Sequence, residues 1–320
     1  MSTDKSLYNK LKTAVLGKDI TAVRRLLKGG VCIDNTNSGF WFEGTLLHEA
    51  VAIGNHEIVK LLLQSKPEVN ARDKSGQTSL HLACRSGRAL IVQLLLDHGA
   101  DVDAVTMTGR SCLHVAMWQR HANIAMSLLQ HGAICSINRK DEDGWTPMHW
   151  AAKGNLHSVT RAMTDKGGQV NVKDRRGQTP LHLALLYHGD VTMMKILLEA
   201  GADPNIPLQN TSCLVAFMKL KHCTPGALNV LLRSDYFVHQ DTSLFNTSVL
   251  SQLQIKHKEL YAIILVHKKK LPKLANFCRF RIRKHLSTVC AGHSITSCIQ
   301  KLPLPELLQD FIMLKNLDAV

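Results

Sequence analysis

One motif recurs through this chain at a nearly constant interval, and that period restricts the fold more than any other feature. The texts are Thr45-Leu-Leu-His48, Thr78-Ser-Leu-His81, Ser111-Cys-Leu-His114, Thr146-Pro-Met-His149 and Thr179-Pro-Leu-His182. Their histidines stand 33, 33, 35 and 33 residues apart. One further period lands on Ser212-Cys-Leu-Val215, where valine replaces the histidine. A fixed period of this length marks stacked supersecondary units, each too small to bury an apolar face alone.

The residues of each unit account for its local structure. Thr or Ser supplies an N-cap oxygen, and Pro147 or Pro180 suits the first helical position, where no backbone donor is missed. The histidine can reach back to the cap hydroxyl and across to neighbouring loop backbone. That is a structural role, and it leaves little reason to assign the histidine to catalysis or a metal. Gly54, Gly87 and Asn155 stand six residues after their histidines, where a left-handed residue ends an inner helix. A second helix follows with apolar stripes such as Ile91, Val92, Leu94, Leu95 and Leu96. The chain then turns, with Gly99, Gly132 and Gly167 on phase and Gly201 one residue late. A short hairpin leads into the next unit.

These residues resemble the ankyrin repeat, and Gly177-Gln-Thr-Pro-Leu-His-Leu-Ala184 carries the likeness most fully. The resemblance implies an all-α ankyrin-repeat solenoid with short β-hairpin loops and a concave binding surface. It divides the chain into a worn N-terminal capping repeat over 1–43, five repeats over 44–209 and a degenerate repeat over 210–243. Leu7, Leu11, Val15, Val23, Leu26 and Leu27 keep helical spacing in the first of these. Departures from the pattern are local. Arg120 and His188 replace the helix-ending Gly, Lys66-Pro67 replaces Gly-Ala, and two extra residues lengthen the hairpin around Asn138 to Asp143. The aromatic run Phe40-Trp41-Phe42 reads as a cover for the end of the stack, with a partner-binding finger as the alternative.

Composition narrows the function. Hydrophobic residues make up 45% and charged residues 20%, as in an ordinary folded protein. The longest apolar run, Leu260 to Val266, is too short to span a membrane. Met1-Ser2-Thr3-Asp4-Lys5 has neither the layout of a signal peptide nor a myristoylation glycine. The expectation is therefore a cytoplasmic protein, with Lys268-Lys269-Lys270 compatible with nuclear import. Nine cysteines without a C-x-x-C read as reduced thiols, and Cys290, His293 and Cys298 lack a fourth metal ligand. The formal charge of +14 comes without aromatic interleaving or a recognition-helix pattern, which argues against nucleic acid. Solvated helix faces and a surface for an acidic partner explain it better.

There is no phosphate-binding Gly-rich loop, no paired carboxylates and no nucleophile elbow, so no catalytic residue, metal or cofactor is expected. Candidates for binding a target are Arg85, Trp118, Arg120, Trp150, Lys153 and Tyr187 on or near the inner helices. Lys74, Arg110, Glu142, Arg175 and Arg176 stand at the hairpin tips. Trp and Arg make good interface anchors. Trp145 and Trp150 both have a strong packing reading, because Asp143-Gly-Trp-Thr-Pro-Met-His-Trp-Ala-Ala is common repeat text.

Beyond the array, residues 244–271 read as connecting helices, with Leu260, Ile263, Ile264 and His267 on one side. The tail places Leu274, Cys278 and Ile282 on one drifting helix face, followed by Leu302-Pro303-Leu304-Pro305. An apolar stripe of Leu307, Leu308, Phe311, Ile312 and Leu314 comes next. So small a module needs a partner to cover it. Residues 272–320 resemble the SOCS box, a three-helix module, and the whole layout resembles the ankyrin repeat and SOCS box family. The resemblance implies that Leu274 fills a pocket of elongin C, with Cys278 and Ile282 packing behind it. Leu302, Pro303, Leu304 and Pro305 would mark the cullin-5 contact. Lys273 departs from the small residue or proline usual before that leucine. The implied partners are elongin C, elongin B, cullin-5, a RING subunit and a protein target. The implied role is a substrate-recognition adaptor of a ubiquitin ligase. A scaffold or inhibitor that binds without ubiquitination is the alternative.

Overall fold

The structure, a computed structural model, describes residues 2–31, 33, 44–208, 212–218 and 224–234. The aromatic run Phe40-Trp41-Phe42, the connecting segment 244–271, Cys290, His293, Cys298 and the tail from 272 lie outside the described residues. The chain forms two units, Met1–Glu142 and Asp143–Val320. In the first, helices come in pairs: α1 (Ser2–Leu16) with α2 (Ile20–Lys28), α3 (Leu46–Ile53) with α4 (His56–Gln64), α5 (Ser79–Arg85) with α6 (Ala89–Asp97), and α7 (Cys112–Trp118) with α8 (Ala122–Gln130). The second pairs α9 (Pro147–Gly154) with α10 (His157–Asp165) and α11 (Pro180–Tyr187) with α12 (Val191–Glu199), after which α13 (Cys213–Met218) packs on α11 and α14 (Pro225–Arg233) on α12. The class is all-α, built of stacked helix pairs. The expected hairpins close as tight turns, such as Thr106 N–H to the Arg110 carbonyl at 2.9 Å. Their β pairing is reduced to isolated bridges like that of Val105 with Ser111.

Inner helices of seven or eight residues are too short to be stable alone, so caps and packing hold them. In α5, Leu80, Leu82, Ala83 and Cys84 are buried, and they meet Ile91, Val92 and Leu95 of α6. Leu94 and Leu96 of the predicted stripe are only half-buried. Across α1 and α3, Lys12 pairs with Glu49 at 2.8 Å, with both side chains largely out of solvent.

All five Thr/Ser-x-x-His motifs form reciprocal capping boxes. In each, the N-cap backbone N–H donates to His Nδ1 at 3.0–3.2 Å, and the cap hydroxyl lies 2.7–2.9 Å from the same nitrogen. Nδ1 must then be the unprotonated nitrogen, which leaves Nε2–H to donate. It donates across the stack: His48 to the Gln77 carbonyl at 3.1 Å, His81 to that of Arg110 at 3.2 Å, and His149 to that of Gln178 at 3.2 Å. Each of these acceptors lies 29 residues ahead. The longer hairpin breaks the rule, and His114 takes the Arg139 carbonyl, only 25 residues ahead, at 3.0 Å. His182 Nε2 is buried without a well-formed hydrogen bond.

The tips are linked directly as well. Met107 N–H donates to the Ser75 carbonyl, Glu142 to Thr108 and Arg175 to Asp143, at 3.0–3.2 Å. Gly76 and Gly144 have φ of 74° and 78°, and a Cβ there would come within 2.9 and 3.0 Å of the Met107 and Arg175 nitrogens. Glycine is required at both places for two reasons at once. The departures from the repeat pattern resolve individually. Lys66 and Arg120 adopt the left-handed turn themselves, at φ 54° and 61°. His188 does not: it stays at φ −130° and Gly189, one residue on, takes the turn at φ 56°.

Candidate functional site

Arg85, Trp118 and Lys153 share one place in the repeat, four residues after the motif histidine and in the last turn of the inner helix. Their surroundings differ. Arg85 is exposed and hydrogen-bonds the Gln77 side chain across its own repeat. Trp118 is 46% exposed, and the Arg110 guanidinium lies over its ring, 5.2 Å from the centroid. Behind that guanidinium, Arg110 Nε lies 3.4 Å from Asp141 Oδ2, whose side chain is wholly buried. Arg120 is exposed in the left-handed turn that ends α7.

In the second unit, three of the expected residues come together. Lys153 Nζ lies 5.2 Å from the Trp150 ring and 4.9 Å from that of Tyr187. Trp145 joins them at 5.1 Å, and its ring packs tilted against Trp150 with centroids 4.4 Å apart. Each distance falls within cation–π range. The elements that build this cluster are the loop before α9, α9 itself and the end of α11. Their spacing is set by the His149 hydrogen bond to Gln178 and by His188 Nε2, which lies 2.7 Å from the Lys153 carbonyl. Trp145, which repeat text assigns to packing as it does Trp150, is the member absent from the binding candidates. Its inclusion depends on which side chain the next repeat supplies, and no local spacing reveals that.

The motif histidines do no chemistry here. Both ring nitrogens of His48, His81, His114 and His149 are engaged in hydrogen bonds. Burial pushes His81 and His182 down to about 4 and His48 below its usual range, so they are neutral scaffold at neutral pH. Among the described residues, no group of three or more His, Cys, Asp or Glu could hold a metal ion. No described helix is long and apolar enough to cross a membrane. What the described surface offers is a set of aromatic and cationic groups on a rigid frame, which suits protein recognition.

The end of α1 and the helices from α2 to α12 lie in the span that matches the model for ankyrin repeats, in three overlapping copies over residues 11–106, 47–141 and 113–207. A second model, the SOCS box, matches residues 271–313. The chain belongs to the ankyrin repeat and SOCS box family. Among its relatives, ankyrin repeat and SOCS box protein 16 of Homo sapiens is 30% identical over 178 residues, 53% of this chain and 36% of that protein. The protein of the same name from Mus musculus is 28% identical over 177 residues, again 53% and 36%. B-cell lymphoma 3 protein of Homo sapiens is 35% identical over 105 residues, 32% of this chain and 23% of that protein. The match therefore spans little more than a third of the length of the SOCS-box relatives. Leu274, Cys278, Ile282, Leu302, Pro303, Leu304 and Pro305 all fall inside the SOCS-box match and outside the described residues.

Proposed function

We propose that this ankyrin repeat and SOCS box protein is a non-catalytic substrate-recognition adaptor of a cullin-RING ubiquitin ligase. The observation that carries the reading is the pairing, in one chain, of an ankyrin array with a SOCS-box match at 271–313. The array, over about residues 44–209, holds a target protein through surface residues including Arg85, Trp118, Arg120, Trp150, Lys153 and Tyr187. The tail couples that target to the machine. Leu274 enters elongin C with Cys278 and Ile282 behind it, elongin B completes the heterodimer, and Leu302-Pro303-Leu304-Pro305 meets cullin-5 with its RING subunit. Catalysis then arises from proximity, because a target lysine is held beside a charged ubiquitin-conjugating enzyme. The consequence for the target is ubiquitination and degradation, in the cytoplasm and, given the Lys268–Lys270 run, the nucleus.

Co-purification tests the coupling half. Full-length chain co-expressed with elongins B and C retains them, and Leu274→Ala/Cys278→Ala loses them. Absence of elongins from both preparations would overturn the ligase reading in favour of a scaffold that binds without delivering.

A further inference from the structure

The geometry points to Lys153 as an anion-docking anchor that takes an Asp or Glu carboxylate from an acidic segment of the target, beside an apolar residue seated on Tyr187. The inference deepens the target-binding role proposed above and rests on it.

The first support is charge balance. Among the described residues, no carboxylate lies within ion-pair distance of Lys153. Four acids of the second unit have partners of their own. Asp174 is buried and accepts from the Arg176 and Gln178 backbones at 2.8 and 2.7 Å. Asp190 caps α12 through Met193 N–H and bonds Asn155 and His157. Glu199 lies 3.8 Å from Arg161, and Asp203 accepts from the Asn205 backbone. Arg175 and Arg176 are exposed on the tip that His149 ties to its own repeat, and both add positive charge to the second unit.

The second support is what the rings do. Three aromatic rings at 4.9–5.2 Å steady the ammonium and leave its N–H donors without strong acceptors, since a ring face is only a weak one. A lysine already held in place loses less freedom on binding than a mobile one. Because the cluster already contains its own cation, it repels a second one and selects for an anion. An ammonium is a compact point charge, which suits a single anionic oxygen better than the two-point grip that an arginine fork offers. Tyr187, 47% exposed, adds the kind of ring on which interface anchors form.

The third support is the contrast within the chain. Arg110 on Trp118 has the same cation-on-ring arrangement, but buried Asp141 lies against it. Among the described residues, Lys153 has no such carboxylate.

Selection of random dodecapeptides on the full-length chain tests the assignment, with affinities of enriched peptides measured by fluorescence anisotropy. The expected result is enrichment of Asp or Glu at a fixed spacing from an aliphatic or aromatic residue. Lys153→Met should weaken such a peptide by about tenfold or more, while Lys153→Arg retains most of the affinity. Replacing the peptide Glu by Gln should cost the wild type about as much and Lys153→Met almost nothing, which assigns the loss to that one pair. The peptide arm needs no protein variant, so misfolding cannot mask it. Neutral or basic enriched peptides, no enrichment, an unchanged Lys153→Met, or clearly tighter binding of a phosphoserine replacement would each overturn the proposal. Elongin retention by Lys153→Met is a separate readout of the tail, so failure of the ligase reading and failure of this one are distinguishable.

Discussion

The two units build the same repeat from the same motif, yet they finish their polar groups differently. In the first, Arg110 rests on Trp118 with Asp141 buried behind it, and His81 donates to the Arg110 carbonyl. Tip, inner helix and insertion form one closed set. In the second, Lys153 rests on Trp145, Trp150 and Tyr187, and among the described residues no carboxylate lies beside it and His182 Nε2 lacks a well-formed acceptor. Similar chemistry at the same repeat position thus serves cohesion in one unit and, among the described residues, leaves a half-buried cation without a counter-ion in the other. The teaching is that a cation on a ring says little until its counter-ion is located.

Acid should affect both units most strongly, because they share the buried histidines. His81 and His182 sit at about 4, against an ordinary value of 6.5. An unfolded chain therefore takes up protons below pH 6.5 that the folded chain refuses. The stabilisation is complete above that pH, declines as pH falls toward 4, and changes little further below. Each of the two histidines should contribute a loss of about 3 kcal/mol across that window. Thermal melts through it check the size, and a flat profile would refute the assignment of neutral, buried imidazoles.

The comparison itself breaks or holds on a pair of substitutions. Asp141→Ala should destabilise the chain by about 2 kcal/mol, because it strips a partly buried guanidinium of its partner. Lys153→Met should change stability by no more than about 1 kcal/mol, since it gives up cation–π contacts but no ion pair. Urea denaturation of both variants gives the answer, and equal losses would show that the two sites do the same work. The smallest effects concern turns. Lys66→Gly and Arg120→Gly should each raise stability by up to about 1 kcal/mol, because both residues hold left-handed backbone that glycine adopts without penalty. A gain at one position only would identify a side-chain contact that the other lacks.

The parts legible in the sequence are those set by local spacing. Thr-x-x-His forms its box within one turn, so counting residues finds it, and the left-handed positions follow from the same count at Gly54, Gly87 and Asn155. Counting fails where a second segment decides. His188 looks like the turn residue, but Gly189 is next to it and takes the strain more cheaply. The insertion shows as extra length, yet nothing local says that His114 will meet Arg139 or that Asp141 will lie against Arg110. Trp145 is ordinary repeat text until Lys153 and Tyr187 are set against it. The SOCS-box residues were readable as a pattern alone, and their match over 271–313 rests on sequence in the same way.

The histidine hydrogen bonds have one more consequence. What His48, His81 and His149 hold is a backbone carbonyl, at Gln77, Arg110 and Gln178, and every amino acid carries one. The frame is therefore blind to the identity of the side chain at that place. Mutation can rewrite those positions, and with them the surface that each loop presents, while the anchor that keeps each loop in register stays chemically the same. A lineage of such proteins could diversify what it recognises without first having to relearn how to fold.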